Sequence, residues 1–362
     1  MDPYILMKAL PNLDFLRAVA VLSVVLCHTL LAYKVYWIGY WNVAWIGVVG
    51  VFVFFVHTSL VLMWSLERKP HTLDFYIRRI FRIYPLAMFA IMVTLLFHVP
   101  LNSAPNEDFF YIPPHGWGDV LSALLLAGNL FHPYAPVPVT WSLPYEVQMY
   151  LALPVIFFFV RRNFSLWPLL LYWGFVIAVC HGIFGNAQGH NLFLCIPYFL
   201  PGVMAYVGFG RRQPVLAAWL MPIGLAALWF GFMAWPGWRV ADVLCLAVGL
   251  GLPSFHQITS RWLIRASHEV AKYSYSIYLV HPFSLVLGLY LMPHRSLALQ
   301  LMVILGSLVV LSVGAYHLLE KPMIQVGARL ARRAEARFEQ YDATLPRRKP
   351  EDNPHFEPRP TE

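Results

Sequence analysis

Apolar residues gather along this chain into long runs separated by short polar breaks. Ten runs can be drawn, at residues 14–33, 44–66, 80–98, 142–160, 164–182, 191–209, 214–234, 239–257, 273–291 and 297–318. A helix needs about 20 such residues to cross a bilayer. The pattern therefore predicts an all-α integral membrane protein of about ten transmembrane helices, since in lipid a helix satisfies its own backbone groups. One more apolar stretch, "DVLSALLLAGNLF" at 119–131, has only 13 residues and suits a re-entrant or interfacial helix. No water-soluble domain fits between the runs.

Composition agrees. Charged residues make up 12% and hydrophobic ones 59%, with mean hydropathy +0.60, whereas soluble domains are nearer about a quarter charged. The first 33 residues are too long in their apolar part for a signal peptide, are interrupted by Arg17 and His28, and lack a small-x-small cleavage site. A retained first helix is expected. Cys27, Cys180, Cys195 and Cys245 lie in or at the edge of apolar runs without CxxC spacing, which argues against a disulfide frame or a zinc site. Neither a metal, a prosthetic group nor a nucleic-acid partner is expected; the lipid bilayer is.

Charge sets the topology. With the N-terminus inside and 119–131 not crossing, inside segments hold 22 of the 26 Lys and Arg. Making that stretch a span would put "RRN" at 161–163 outside and invert every later loop, against the positive-inside bias. Both termini are thus expected in the cytoplasm. Residues 1–322 form the membrane domain, and 323–362 a basic cytoplasmic tail, first helical at "GARLARRAEARFEQ" and then Pro-rich and partly disordered.

The polar residues inside the runs carry the chemistry. At about 100° per residue, eleven steps bring His28 back onto the face of Arg17, roughly 16 Å further along the axis. Such residues in a span are functional candidates, although Arg17 can also snorkel or pair with Asp14, and His28 can bond a carbonyl. In "DFYIRRIFRIYP", Arg78, Arg79 and Arg82 serve as a topogenic signal or hold a phosphate, with Arg79 and Arg82 gripping one anion from the same face. In "TWSLPYEVQMYLALP", Glu146 is the only carboxylate of its run. Trp141 and Tyr145 beside it anchor at the interface or stack on a sugar ring. Taken as crossings from opposite surfaces, the runs place His28 and Glu146 in the outer half and the arginines at the inner pole. His57, His256, His281 and His317 are assigned to packing or carbonyl bonding, and Asp242 to a local pair with Arg239.

Arg17 with His28, Arg79-x-x-Arg82, "WSLPYE" at 141–146, "SYSIYLVHP" at 274–282 and "LEKP" at 319–322 together resemble the acyltransferase 3 family over about residues 10–322. The resemblance implies a bacterial inner-membrane O-acyltransferase that moves an acyl group from cytoplasmic acyl-CoA to a hydroxyl, usually of a carbohydrate or glycan. It also implies functional roles for Arg17, His28, Arg79 and Arg82, and matches Glu146 to the family's carboxylate. Two departures stand out. "FFVHTS" replaces a motif like FFxxSG, so that His57 joins the candidate substrate-binding residues, and no appended extracytoplasmic hydrolase-like domain is expected, which leaves room for a separate acyl-transfer partner.

The expected mechanism docks the CoA phosphates on Arg17, Arg79 and Arg82, with Arg78 beside them. His28 then acts as base or transient acyl carrier, oriented by Glu146. The rival is a transporter or flippase for an anionic or lipid-linked solute, which should show two similar halves; no internal repeat is visible.

Overall fold

The structure is a computed structural model that describes residues 10–103, 109–131, 133–160, 164–184 and 192–344. Lys8, the "RRN" segment and the Pro-rich end of the tail lie outside the described residues. The chain forms helices α1 Pro11–Ala32, α2 Ala44–Arg68, α3 Thr72–Phe97, α4 Trp117–Leu124, α5 Leu143–Phe159, α6 Leu166–Phe184, α7 Leu192–Arg211, α8 Leu220–Ala234, α9 Trp238–Gly251, α10 Arg261–Leu285, α11 Leu297–Ala315 and α12 Lys321–Thr344. A two-residue hairpin, β1 Trp37–Ile38 with β2 Trp41–Asn42, joins α1 to α2.

Each predicted apolar run falls on a helix. Among the described residues, six helical segments are long and apolar enough to cross a membrane, including Pro11–Ala32, Ala44–Arg68 and Thr72–Phe97. α8 and α9, with 15 and 14 residues, are short of a full crossing. The stretch at 119–131 is an eight-residue helix, α4, followed by a turn in which Leu126 takes a φ of +51°.

α2 is apolar on all sides and is buried on all sides. It packs against α1, α7, α9, α5, α8 and α3. Two glycines allow this closeness: a Cβ on Gly50 would meet the Ala20 carbonyl of α1, and one on Gly202 of α7 would collide with Ser59 Oγ and the Val56 carbonyl of α2. Ser59 makes use of the same contact, donating its hydroxyl to the Phe199 carbonyl at 2.6 Å. The outer helices show the opposite pattern, with Leu22, Phe89, Phe97, Leu151, Phe158, Trp167, Phe175 and Val309 facing outward. So much exposed apolar surface requires lipid around it.

α1 and α10 run parallel, tied at one end by His268 Nδ1 to Asp14 at 2.8 Å and further along by His281 to His28. α11 continues into α12 through a π-helical turn, Tyr316–Glu320, where the Lys321 N–H reaches back five residues to the Tyr316 carbonyl. α12 then lies along α3, with Ala331 fully buried and Lys69 paired to Glu335 at 3.2 Å. The described part of the tail is thus packed onto the bundle on one face.

Candidate active site

Arg17 of α1, His57 of α2, Arg79 and Arg82 of α3, and Glu146 and Tyr150 of α5 converge on a cavity of about 260 Å³, whose wall is completed by Ser274, Tyr275 and Tyr278 of α10. Helical spacing explains the selection. Arg79 and Arg82, three apart, share a face. Arg78 belongs to another face, where Asp74 one turn earlier accepts from its Nε at 2.6 Å and its Nη2 at 3.0 Å. Glu146 and Tyr150, four apart, are neighbours, and the Tyr150 hydroxyl donates to the carboxylate. Two tyrosines of α10 pin the walls: Tyr275 donates to the Ile83 carbonyl and Tyr278 to the Val139 carbonyl, each at 2.6 Å.

The cavity is cationic. Three guanidinium groups face one carboxylate, and a second carboxylate, Glu320, stands behind Arg82 with Oε1 3.9 Å from Nη2. Glu320 is buried, and its other oxygen accepts the Ser276 hydroxyl at 2.7 Å. The π-helical turn sets the carboxylate at that position. Nε of Arg17 and Nε of Arg79 have no hydrogen-bond partner among the described residues. Leaving such buried donors unmade costs about 1–3 kcal/mol each. Excess positive charge and unmatched donors together suit an anionic ligand with several acceptor oxygens.

Beyond Tyr278 the two parallel helices carry a pair of histidines. The rings of Tyr278 and His281 are 6.3 Å apart, and those of His281 and His28 are 5.0 Å apart. His281 Nε2 lies 3.2 Å from His28 Nδ1. A second hollow of about 240 Å³ opens on the other side of the α5 N-terminus, lined by Trp141, Tyr145, Tyr134, Asn129 and Leu126.

Arg17, Arg79, Arg82, Glu146 and His57 are therefore brought together, while Arg78, Trp141, Tyr145 and His28 are placed elsewhere. Glu146 does not meet His28. The sequence reading started the fourth crossing at the membrane surface, but the connection before it runs inside the bundle, with Val137, Val139 and Thr140 buried. α5 consequently begins at depth, and Glu146 reaches the level of the arginines. Asp242 bonds His181 Nε2 at 2.7 Å rather than pairing with Arg239, which is exposed. Asp14 takes His268 instead of Arg17. His281, Glu320, Tyr150 and Tyr278 were not singled out as site residues. Glu320 reads in sequence as a carboxylate at the edge of the last run, yet it lies in "LEKP", and Tyr278 and His281 lie in "SYSIYLVHP", the motifs that carry the family resemblance and the one signal that marks them.

Comparison with known proteins adds a family. The sequence model of the acyltransferase 3 family, described as an acyltransferase domain, matches residues 10–317. Acyltransferase MdmB of Streptomyces mycarofaciens is 24% identical over 270 residues, covering 67% of this chain and 63% of that protein. O-acetyltransferase OatA of Staphylococcus aureus is 30% identical over 176 residues, 44% of this chain and 26% of OatA. Peptidoglycan O-acetyltransferase OatA of Listeria monocytogenes is 27% identical over 163 residues, 41% of this chain and 24% of that protein. The chain spans less than two thirds of each of these relatives. No solved structure matches.

Proposed function

This chain belongs to the acyltransferase 3 family; from that premise we propose that it is an enzyme that moves acetyl or another short acyl group from acyl-CoA to a hydroxyl of a carbohydrate or glycan. The observation that carries the donor is the cavity of Arg17, Arg79 and Arg82 with two unmatched guanidine nitrogens. Diphosphate oxygens satisfy those donors, which a planar guanidinium engages two at a time. At about 260 Å³ the cavity sits below the ~300–1,000 Å³ typical of sites for whole drug-sized ligands. It therefore takes the diphosphate or the pantetheine arm, and the adenosine stays outside.

In this reading Glu146 and Glu320 hold the guanidinium groups in place, and His57 borders the donor. The thioester points past Tyr278 toward His28, where the acceptor hydroxyl gives up its proton. The aromatic hollow at Trp141 and Tyr145 receives the acceptor, and the names of the OatA relatives favour an acetyl group and a glycan. Ten crossings with both termini in the cytoplasm of a bacterial inner membrane bring the arginines to the side where acyl-CoA is made. The cavity end of α1 and α10 then faces inward, and a separate extracytoplasmic partner can receive the product.

The test is thioester cleavage by purified protein in lipid, with acetyl-CoA or succinyl-CoA labelled in the acyl group, comparing wild type with Arg17→Gln and Arg82→Gln. Cleavage by wild type that both variants lose supports the donor assignment. A folded wild type that neither binds nor cleaves acyl-CoA overturns it.

A further inference from the structure

The geometry of the His28 and His281 pair assigns a protonation pattern, and from it we infer that His281 is a positioning residue that keeps Nε2 of His28 free of hydrogen and ready to take a proton. Three contacts settle the pattern. His281 Nδ1 lies 3.2 Å from the Ile277 carbonyl, and His28 Nδ1 lies 3.0 Å from the Val24 carbonyl. A carbonyl oxygen only accepts, so each Nδ1 carries the hydrogen. His281, neutral, then has a bare Nε2, and that atom sits 3.2 Å from His28 Nδ1, where it accepts a share of the same hydrogen. His28 is left with its lone pair on Nε2, which no described residue bonds.

The sequence shows how α10 achieves this. Pro282 follows His281 and has no N–H to offer the Tyr278 carbonyl one turn back. The His281 ring is held between its own preceding turn and α1. His281 is 1% exposed, so water does not compete for its Nε2.

The chemistry rests on the acyl-transfer reading. Nε2 of His28 takes the proton of the acceptor hydroxyl as the acceptor oxygen bonds the thioester carbonyl carbon. The carbon–sulfur bond breaks, and the departing thiolate takes the proton back from Nε2. His28 Nδ1 keeps its hydrogen throughout, directed at His281 Nε2 and the Val24 carbonyl, and this stabilises the transient imidazolium. The role resembles that of a triad carboxylate in fixing the tautomer, with a neutral imidazole in its place.

Two measurements test the assignment on full-length protein in nanodiscs. Long-range proton–nitrogen correlation spectra with [15N]histidine label, in which the His28 signals are those lost in His28→Gln, read the tautomer directly. The expected result is Nδ1 protonated and Nε2 bare in wild type and in His281→Gln, whose side-chain carbonyl oxygen still accepts, and a mixture of the two tautomers in His281→Leu, where the Val24 carbonyl alone holds the hydrogen. Protonation of His28 on Nε2 in wild type overturns the proposal, whether or not acyl-CoA proves to be the donor. In turnover with labelled acetyl-CoA, His281→Leu is expected to lower kcat by about 100- to 1,000-fold with KM for the donor unchanged, and His281→Gln by less than about 10-fold. Equal loss in both variants reduces His281 to a packing residue and overturns it. A wild type without turnover defeats the functional reading alone, because the spectra still decide the tautomer.

Discussion

Arg82 Nη2 stands 3.9 Å from Glu320 Oε1, and the second oxygen of Glu320 accepts the Ser276 hydroxyl at 2.7 Å. One carboxylate from the last crossing thereby holds a cavity arginine of α3 against α10. Removing one partner of a buried ion pair costs about 3–5 kcal/mol in well-formed cases, and the long separation here places this pair at the low end. Glu320→Gln should lower the unfolding temperature in detergent and reduce kcat by about 10-fold or more through a misplaced guanidinium. Affinity for acyl-CoA should hold or rise, because the cavity loses a negative charge. Titration of donor binding beside turnover checks both; weakened binding with unchanged kcat would remove Glu320 from this role.

Arg78 and Arg82 differ by one turn and should differ in function. Arg78 is occupied by Asp74, whereas Arg79 and Arg82 line the cavity. A hydrogen bond to a charged group contributes about 1.5–3 kcal/mol, so Arg79→Gln or Arg82→Gln should raise KM for acyl-CoA by about 10-fold or more. Arg78→Gln should leave KM within about 2-fold and cost some stability. Steady-state kinetics on the three variants at one ionic strength separates them.

The extent to which this site was legible follows from which contacts are local. Arg79 with Arg82 is legible because helical spacing relates them within one run, whereas His28, on the face of Arg17 by the same spacing, lies outside the cavity that Arg17 lines. The fold class is legible because lipid demands long apolar helices. Glu320 and His281 meet their partners across 238 and 253 positions of sequence, and no spacing rule reaches that far. The level of Glu146 was misjudged for a related reason: an apolar run shows that a segment is buried, but not at what depth it begins. The buried connection around Val137 and Val139 was what mattered.

Gly202 should tolerate no side chain. Its missing Cβ is the space in which Ser59 Oγ and the Val56 carbonyl of α2 lie, and forcing atoms into a packed helix contact costs about 1–3 kcal/mol. Gly202→Ala should lower the unfolding temperature and the yield of monodisperse protein in detergent. Gly224→Ala is the control, since nothing lies within 4 Å of its added Cβ; equal behaviour of the two would show that α2 and α7 are less closely packed than described.

The two faces of the α5 N-terminus should separate donor from acceptor. Glu146 and Tyr150 face the cavity, while Trp141 and Tyr145 line the aromatic hollow with Tyr134 and Asn129. Aromatic stacking adds about 0.5–1.5 kcal/mol beyond area burial, so Trp141→Ala should raise KM for a glycan acceptor roughly 2- to 10-fold. KM for acyl-CoA and the rate of acceptor-independent thioester cleavage should stay unchanged. Tyr145 is almost fully buried, and its loss would act through packing as well, so Trp141, the more accessible of the two, is the better probe. Kinetics with acceptor and donor varied in turn give the answer: if Trp141→Ala weakens the donor instead, the hollow belongs to the acyl-CoA path, and the acceptor must approach His28 from another side.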